Sequence, residues 1–303
     1  MRLKKICITG SSGFVGQNLV RYLSSRGFLI IMPNREEIQK ADQFDFFECE
    51  VVVHLVGKAH DLKNTSNSEE YYQVNTELTK KVFDAFLASN ANVFITLSSV
   101  KAIADQEQGM LSEEHTPNPI THYGKSKLLA EQYILSKEIS EGKRYYILRP
   151  CMIHGPGNKG NLNLLYQLVS KGIPWPLGGF ENKRSFCSID NLMFIIKELI
   201  ERDDIPSGVY NVADDEPLST NQVISLLAES QNRNPKIWNV SKGFIELCAK
   251  IGNVLKLPLN KERLQKLTDS YVVSNQKIKT AIGKPLPVSS RDGLLKTFNS
   301  FKN

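Results

Sequence analysis

Residues 9–16 read TGSSGFVG, and what flanks them decides how the chain folds. Before them lies a short apolar run, Ile6 to Thr9. After them, residues 14–26 place Phe14, Val15, Leu19, Val20 and Leu23 at helical spacing. A strand that runs through three glycines into a helix reads as a nucleotide turn. Gly10 would allow the tight bend, Gly13 the close approach of backbone to a pyrophosphate, and Gly16 close packing of helix on strand. The helix start adds unpaired N–H groups and the positive end of its dipole. Ser12, Phe14 and Val15 complete the candidate dinucleotide cradle.

A second apolar run, Phe28 to Met32, stops at Pro33 and is followed by Asn34 and Arg35, with acids only at Glu36 and Glu37. An acid at this place would bind the ribose 2′-hydroxyl, whereas an Arg can pair with a 2′-phosphate. Asn34 and Arg35 therefore favour NADP(H). NAD(H) is the alternative if Glu36 takes the ribose.

Further along, Val51 to Val56 and Val93 to Leu97 are continuous apolar runs, as strands buried on both faces require. Residues 69–89 and 122–140 read as helices, and Tyr145 to Leu148 as another strand. This alternation predicts an α/β fold, a doubly wound parallel sheet of the Rossmann type, over residues 1–150. Beyond it, Pro and Gly recur and helical stretches return near 190–202, 219–231 and 243–255. Residues 151–303 are expected to form a smaller mixed substrate lobe, with some segments returning to the first domain.

The strand ending at Leu97 delivers Ser98 and Ser99, and YGKSK follows with Tyr123 and Lys127 four apart, on one face of a helix. A Lys beside a phenol stabilises the phenolate and draws its pKa down from ~10. The same ammonium can bond a nicotinamide ribose, and a Ser hydroxyl can hold an oxygen being protonated. Tyr-x-x-x-Lys alone is a weak signal. Its force comes from the order: glycine turn, Ser at a strand end, then Tyr and Lys on the next helix.

With 303 residues, 41% of them apolar and 23% charged, the chain is long enough for a large core and is neither disordered nor fibrous. Its 38 Lys and Arg against 32 acids give +6. That surplus reads as spread along the chain, without the dense basic runs of a nucleic-acid arm, so no nucleic-acid partner is expected. The five cysteines (Cys7, Cys49, Cys151, Cys187 and Cys248) lack metal-ligand or disulfide-framework spacing. No apolar window is long enough to span a membrane. A soluble protein of a reducing compartment, the cytoplasm, is the expectation.

These motifs together resemble the extended short-chain dehydrogenase/reductase family and its nucleotide-sugar epimerases, dehydratases and reductases. TGSSGFVG is similar to the family's glycine turn, VVVHLVGKAH to its fourth strand, whose usual ending is His-Leu-Ala-Ala, and VNTELTKKVFDA to the helix that follows. TLSS with YGKSK resembles its active site, LRPCMIHGPG a later strand, and NKRSFCSIDN its sugar-nucleotide segment. The resemblance implies Ser99, with Ser98 second, Tyr123 and Lys127 as the catalytic set. Leu55, Val56 and Lys127 would lie on the cofactor, and Ser99, Lys101, Tyr123, Asn161, Arg184 and Arg263 on a UDP-sugar. A homodimer through two long helices is also implied.

Departures from the family pattern narrow the reaction. Val100 and Lys101 stand where the 4,6-dehydratases carry an Asp-Glu pair, and Met152 where many 4-epimerases carry Asn. The stretch from Arg35 to Val51 leaves little room for a third strand and its adenine-contacting Asp. With Arg35 and a likeness to surface-polysaccharide reductases, this favours NADPH-dependent reduction of a UDP-4-keto-6-deoxy-N-acetylhexosamine. A 4-epimerase of UDP-hexose or UDP-N-acetylhexosamine with retained NAD is the alternative. A catalytically silent dinucleotide sensor is a third reading, opposed by the presence of Tyr123 and Lys127.

Other features have plainer readings. His54 and His60 flank the fourth strand, His115, His122 and His154 fall in apparent loops, and none has a metal-ligand spacing with another, so no metal is expected. GFIELCAKIGNVLKL (243–257) reads as a packed helix of the second lobe, with an amphipathic membrane-surface helix as the alternative. Trp175 is either a loop anchor or the border of a sugar or base pocket.

Overall fold

Continuous Val- and Ile-rich runs have no polar edge to turn towards water, so they pair side by side and take helices on both faces. The structure, a computed structural model, describes residues 4–39, 48–58, 67–158, 160–255 and 260–302. Its first half holds β1 (Lys5–Thr9), α1 (Phe14–Ser24), β2 (Leu29–Ile31), α2 (Arg35–Gln39), β3 (Val51–His54) and α3 (Ser68–Tyr71). A π-helical segment (Tyr72–Glu77), α4 (Leu78–Ala88), β4 (Val93–Leu97), a 3₁₀ turn (Val100–Ala102), β5 (Met110–Leu111), α5 (His122–Leu135) and β6 (Arg144–Pro150) follow.

The second half begins with β7 (Met152–His154), α6 (Asn161–Ser170), β8 (Phe186–Ser188), α7 (Ile189–Glu201), β9 (Gly208–Val212) and α8 (Thr220–Ser230). It ends with α9 (Lys242–Leu255), α10 (Lys261–Thr268), β10 (Val272–Val273), α11 (Gln276–Ile282) and α12 (Ser290–Asn299).

Six strands form one parallel sheet in the order β2-β1-β3-β4-β6-β9. The chain goes from β1 outward to β2, then crosses to β3 on the other side of β1. The switch point of this doubly wound sheet therefore lies at the carboxyl ends of β1 and β3, where ligands of such sheets bind. Register aligns Thr9 with His54 and His54 with Thr96, so three strand ends meet on one line.

Strand alternation sorts the core into two layers. Ile6, Ile8, Val51, Val53 and Ile95 pack with Leu19 and Leu23 of α1 and with the apolar face of α7. Cys7, Val52, Phe94 and Ile147 face Val82, Phe83 and Phe86 of α4 and Ile134 of α5. A third cluster, including Trp175, Phe186, Leu227, Leu294 and Phe298, is the core of the smaller lobe.

The elements depart from the sequence reading in instructive places. The helix expected over 69–89 is interrupted by the π segment, which buries both Asn75 and Thr76. The helix expected to reach residue 140 stops at Leu135, where Ser136 bonds back to the Gln132 and Tyr133 carbonyls. Helix α7 packs against α1, and β9 is the sixth strand of the main sheet, so residues past 150 contribute to both halves. The stretch of doubtful third strand includes residues 40–47, outside the described residues.

Helix α5 is fastened to the sheet by a buried ion pair. Glu131 accepts from Arg149 Nε at 3.0 and 3.1 Å and from its Nη2, and it also accepts from the Ser98 hydroxyl. Both charged side chains are almost wholly buried. Removing one partner of such a pair costs about 3–5 kcal/mol, because the other is left desolvated and uncompensated. Arg149→Met should therefore destabilise the fold by about that amount, and Glu131→Leu combined with Arg149→Met should recover more than half of the loss. Urea unfolding of both variants measures it.

Candidate active site

The strand ends at the switch point are joined by one polar network. His54 Nδ1 lies 2.8 Å from Thr9 Oγ1 and its Nε2 3.1 Å from Thr79 Oγ1. Thr79 spends its proton on the Asn75 carbonyl at 2.9 Å, so it accepts from His54 Nε2–H, and Thr9 donates to Nδ1. Burial and the nearby Lys127 cation push the His54 pKa down to about 3, so the ring is neutral. It is a core histidine with a partner on each ring nitrogen.

The glycine turn closes directly against this line. Gly10 adopts φ +72°, and a Cβ there would lie 2.8 Å from the Leu55 carbonyl carbon and the Val56 nitrogen. Leu55 and Val56, both partly buried, thus form the opposite wall of the turn. A Cβ on Gly16 would fall 2.2 Å from the Gly10 oxygen, so its role is close packing. Gly13 differs from both. It caps α1 with φ −74° and is exposed, and a Cβ there would meet only the Gly10 oxygen, at 3.4 Å. Nothing in the protein itself demands a glycine at this position, and the open space it leaves beside the first amides of α1 is what an approaching phosphate would need. The cradle fits a dinucleotide pyrophosphate on that observation. Ser12 is exposed beside it, and Phe14 and Val15 are partly buried in the first turn.

At the next position along the sheet edge, Asn34 and Glu37 close a reciprocal cap on α2, with Glu37 N–H to Asn34 Oδ1 at 3.0 Å and Asn34 N–H to Glu37 Oε2 at 2.7 Å. Asn34 is therefore committed to the backbone. Arg35 and Glu36 are exposed at the two following positions.

Ser99 and Tyr123 meet because α5 begins against the 3₁₀ turn after β4. A Cβ on Gly124 would lie 2.3 Å from the Lys101 carbonyl oxygen, so only glycine permits this approach. Thr121 caps the helix through Gly124 N–H, and Asp105 holds the Ile120 and Thr121 amides at 2.8 and 3.0 Å. Ser99 stands next to the Tyr123 phenol, while Ser98 is turned the other way onto Glu131. Desolvation raises the Tyr123 pKa, and the neighbouring Ser99 hydroxyl opposes it. The sequence reading expected the phenol to be drawn down. Burial raises it instead, while Lys127 Nζ donates to the Leu97 carbonyl at 2.9 Å and has its own pKa lowered to about 8 by burial.

Several residues of this centre were not singled out from the sequence. Asn75, buried in the π segment, bonds the Lys58 amide at 2.8 Å, the Lys58 carbonyl at 3.1 Å and Ser126 Oγ at 3.0 Å. A π segment at such a place often marks function, but no composition signal announces one. Gly57, exposed at the mouth, would put a Cβ 3.0 Å from Lys127 Nζ and 3.3 Å from Asn75 Oδ1.

The substrate candidates separate into those brought together and those not. Lys101 donates to the Asp105 carbonyl at 2.6 Å and lies 4.7 Å from the Tyr271 ring centre. Burial lowers its pKa, with the Arg184 and Lys266 cations acting in the same direction and Asp105 against it. Arg184 donates to the Lys266 carbonyl on α10, and its pKa too is lowered by burial. Three cations thus gather beside the 3₁₀ turn. Arg263 is exposed one turn before Lys266 on α10. Asn161 is exposed as the first residue of α6, outside the hydrogen bonds described for this cluster.

Of the remaining histidines, His122 is the first residue of α5, and His154, expected in a loop, is buried in β7 against Thr297 and Asp214. His60 lies outside the described residues. Trp175 is a loop anchor, its indole N–H on Asn221 at 3.0 Å. Met152 is partly buried against the smaller core. Among the described residues, no group of three His, Cys, Asp or Glu is placed to hold a metal ion, and no helix is long and apolar enough to cross a membrane.

Comparison with known proteins agrees with this architecture. The chain is 30% identical to a UDP-glucose 4-epimerase of Vibrio cholerae, across 98% of this chain and 95% of that protein. It is 26% identical to a GDP-6-deoxy-D-mannose reductase of Pseudomonas aeruginosa, over 75% and 80% of the two chains. The crystal structure of a UDP-N-acetylglucosamine 4-epimerase from Bacillus cereus superposes with a TM-score of 0.77 at 18% identity, covering 99% of this chain and 100% of that one, which bears on fold alone. The model of the NAD dependent epimerase/dehydratase family matches residues 6–213, from β1 to the end of the six-stranded sheet. The chain is a member of that family, and it is an NAD(P)-dependent enzyme.

Proposed function

We propose that the protein transfers hydride between a bound dinucleotide and carbon 4 of a nucleoside-diphosphate hexose, in the direction of reduction of a UDP-linked 4-keto-6-deoxy-N-acetylhexosamine by NADPH. The observation that carries this reading is the placing of Ser99 next to Tyr123 at the end of β4, beside Lys127. A bound nicotinamide would supply or accept hydride there. Gly10, Gly13 and the first amides of α1 would hold the pyrophosphate, with Leu55 and Val56 as the opposite wall, and Lys127 would release the Leu97 carbonyl to bond the ribose.

On this reading the Tyr123 hydroxyl donates its proton to the sugar oxygen as charge develops on it, and Ser99 holds that oxygen in place. Burial favours the protonated phenol, the form a reductase needs at neutral pH. Lys101, Arg184 and the nearby Lys266 ammonium offer positive charge to the diphosphate. Arg263 and Asn161 would join only if a ligand draws α10 and α6 inward. Arg35, exposed as the first residue of α2 after the second strand, supports the 2′-phosphorylated cofactor. Leu129 and Leu135, exposed on α5, support pairing of two copies through long helices.

Epimerisation of a UDP-hexose at carbon 4, with NAD retained, is the second reading, and the Vibrio cholerae relative favours it. Absorbance at 340 nm separates the two. Reduction consumes NADPH in proportion to the 4-keto sugar. Interconversion of two UDP-hexoses without added cofactor would replace this reading with epimerisation.

Tyr123→Phe should lower kcat for reduction by about 10²–10⁴-fold while the KM for the sugar nucleotide changes only a few-fold. The wild-type kcat/KM should stay level from pH 6 to about 8, where Lys127 begins to lose its proton, and fall further above the ordinary phenol value of ~10, because only the protonated phenol donates. A rate that instead climbs with pH through neutrality would assign Tyr123 the role of a base. Arg35→Glu should raise the KM for NADPH about tenfold or more and leave that for NADH within a few-fold, which steady-state kinetics with both cofactors reads.

A further inference from the structure

The +6 of the chain is not spread along it. Residues 233–266 hold eight Lys and Arg (Lys256 lies outside the described residues) against only Glu246 and Glu262, so this segment alone carries +6 and the rest of the chain is neutral. The same segment presents an apolar face to solvent. In α9, Ile245, Ala249 and Gly252 are buried, while Phe244, Leu247 and Ile251 are 58, 54 and 46% exposed. At 3.6 residues per turn these three side chains lie within about 60° of one another, well away from the buried face. Trp238, 59% exposed, lies just ahead of α9, and Lys242 and Lys250 are exposed on the helix itself.

A helix that packs by one face and shows aromatic and aliphatic side chains on another, among cations, has the composition of a surface that lies in a lipid headgroup layer. Apolar patches of this kind on a soluble chain mark an interaction site. The charge selects the occupant: a second copy of the chain would bring +6 against +6, whereas an anionic bilayer complements it. We infer that α9, with Trp238 and the lysines around it, docks the protein on an anionic phospholipid bilayer. Helix α10 packs on α9, and its Lys266 carbonyl takes the Arg184 side chain. Docking therefore brings the cluster of Lys101, Arg184 and Lys266 close to the membrane plane.

Sedimentation of the full chain with vesicles tests this. Binding to vesicles of equal parts phosphatidylglycerol and phosphatidylcholine should be about tenfold or more tighter than to phosphatidylcholine alone, and should weaken with salt. Trp238 should shift its emission to the blue on the anionic vesicles, against the constant signal of buried Trp175. F244S/L247S/I251S and K242E/K250E should each lose at least tenfold in binding, with melting temperature and NADPH affinity held near wild type. Equal binding to both vesicles, or none to either, overturns the inference. So does a drop from dimer to monomer in light scattering of the F244S/L247S/I251S variant, which would make this face a contact between copies.

Discussion

The position of α5 against the end of β4 is the constraint on which the rest of the molecule depends. At its first turn the helix backbone approaches the Lys101 carbonyl so closely that residue 124 has no room for a methyl group. Lower down, Lys127 reaches the Leu97 carbonyl, and Glu131 holds both Arg149 and Ser98. Helix α5 thus turns Ser126, Lys127 and Glu131 inward, where a purely structural helix would bury leucines. Burying charge on this scale costs stability unless each group is paired. Here every one of them has a partner, and two of those partners are the Leu97 carbonyl and the Ser98 hydroxyl at the end of β4.

What was legible in the sequence follows from this. The parallel sheet could be read because each strand is buried on both faces and is therefore apolar without interruption. The glycine turn could be read because Gly10 and Gly16 answer steric demands that no other residue meets. Helix α5 could be found only through Tyr123 and Lys127, since its inward face is polar and carries little apolar periodicity. The π segment was invisible, because two consecutive buried residues, Asn75 and Thr76, look like noise in a helical pattern. Sequence spacing places Lys127 near the phenol, but it shows neither the burial that raises the Tyr123 pKa nor the Leu97 carbonyl that holds the ammonium.

The second half of the chain was harder to divide. Helix α7 and strand β9 belong to the sheet, while α6, α8, α9 and α12 build a smaller core around Trp175 and Phe298. Residues past 150 therefore serve both cores. The cation cluster is likewise assembled from three places far apart in sequence: Lys101 in the turn after β4, Arg184 just before β8 and Lys266 on α10. Nothing local in any of these stretches marks the group, and only the family likeness brought Lys101 and Arg184 into one list of candidates.

The glycine at position 57 has a consequence of its own. After His54 the chain runs on as Leu55, Val56 and Gly57, and a methyl group on residue 57 would stand 3.0 Å from Lys127 Nζ and 3.3 Å from Asn75 Oδ1. Any side chain there would crowd the ammonium against the Leu97 carbonyl that holds it, so the bare backbone at Gly57 keeps open the one side of Lys127 that its own partners leave uncovered.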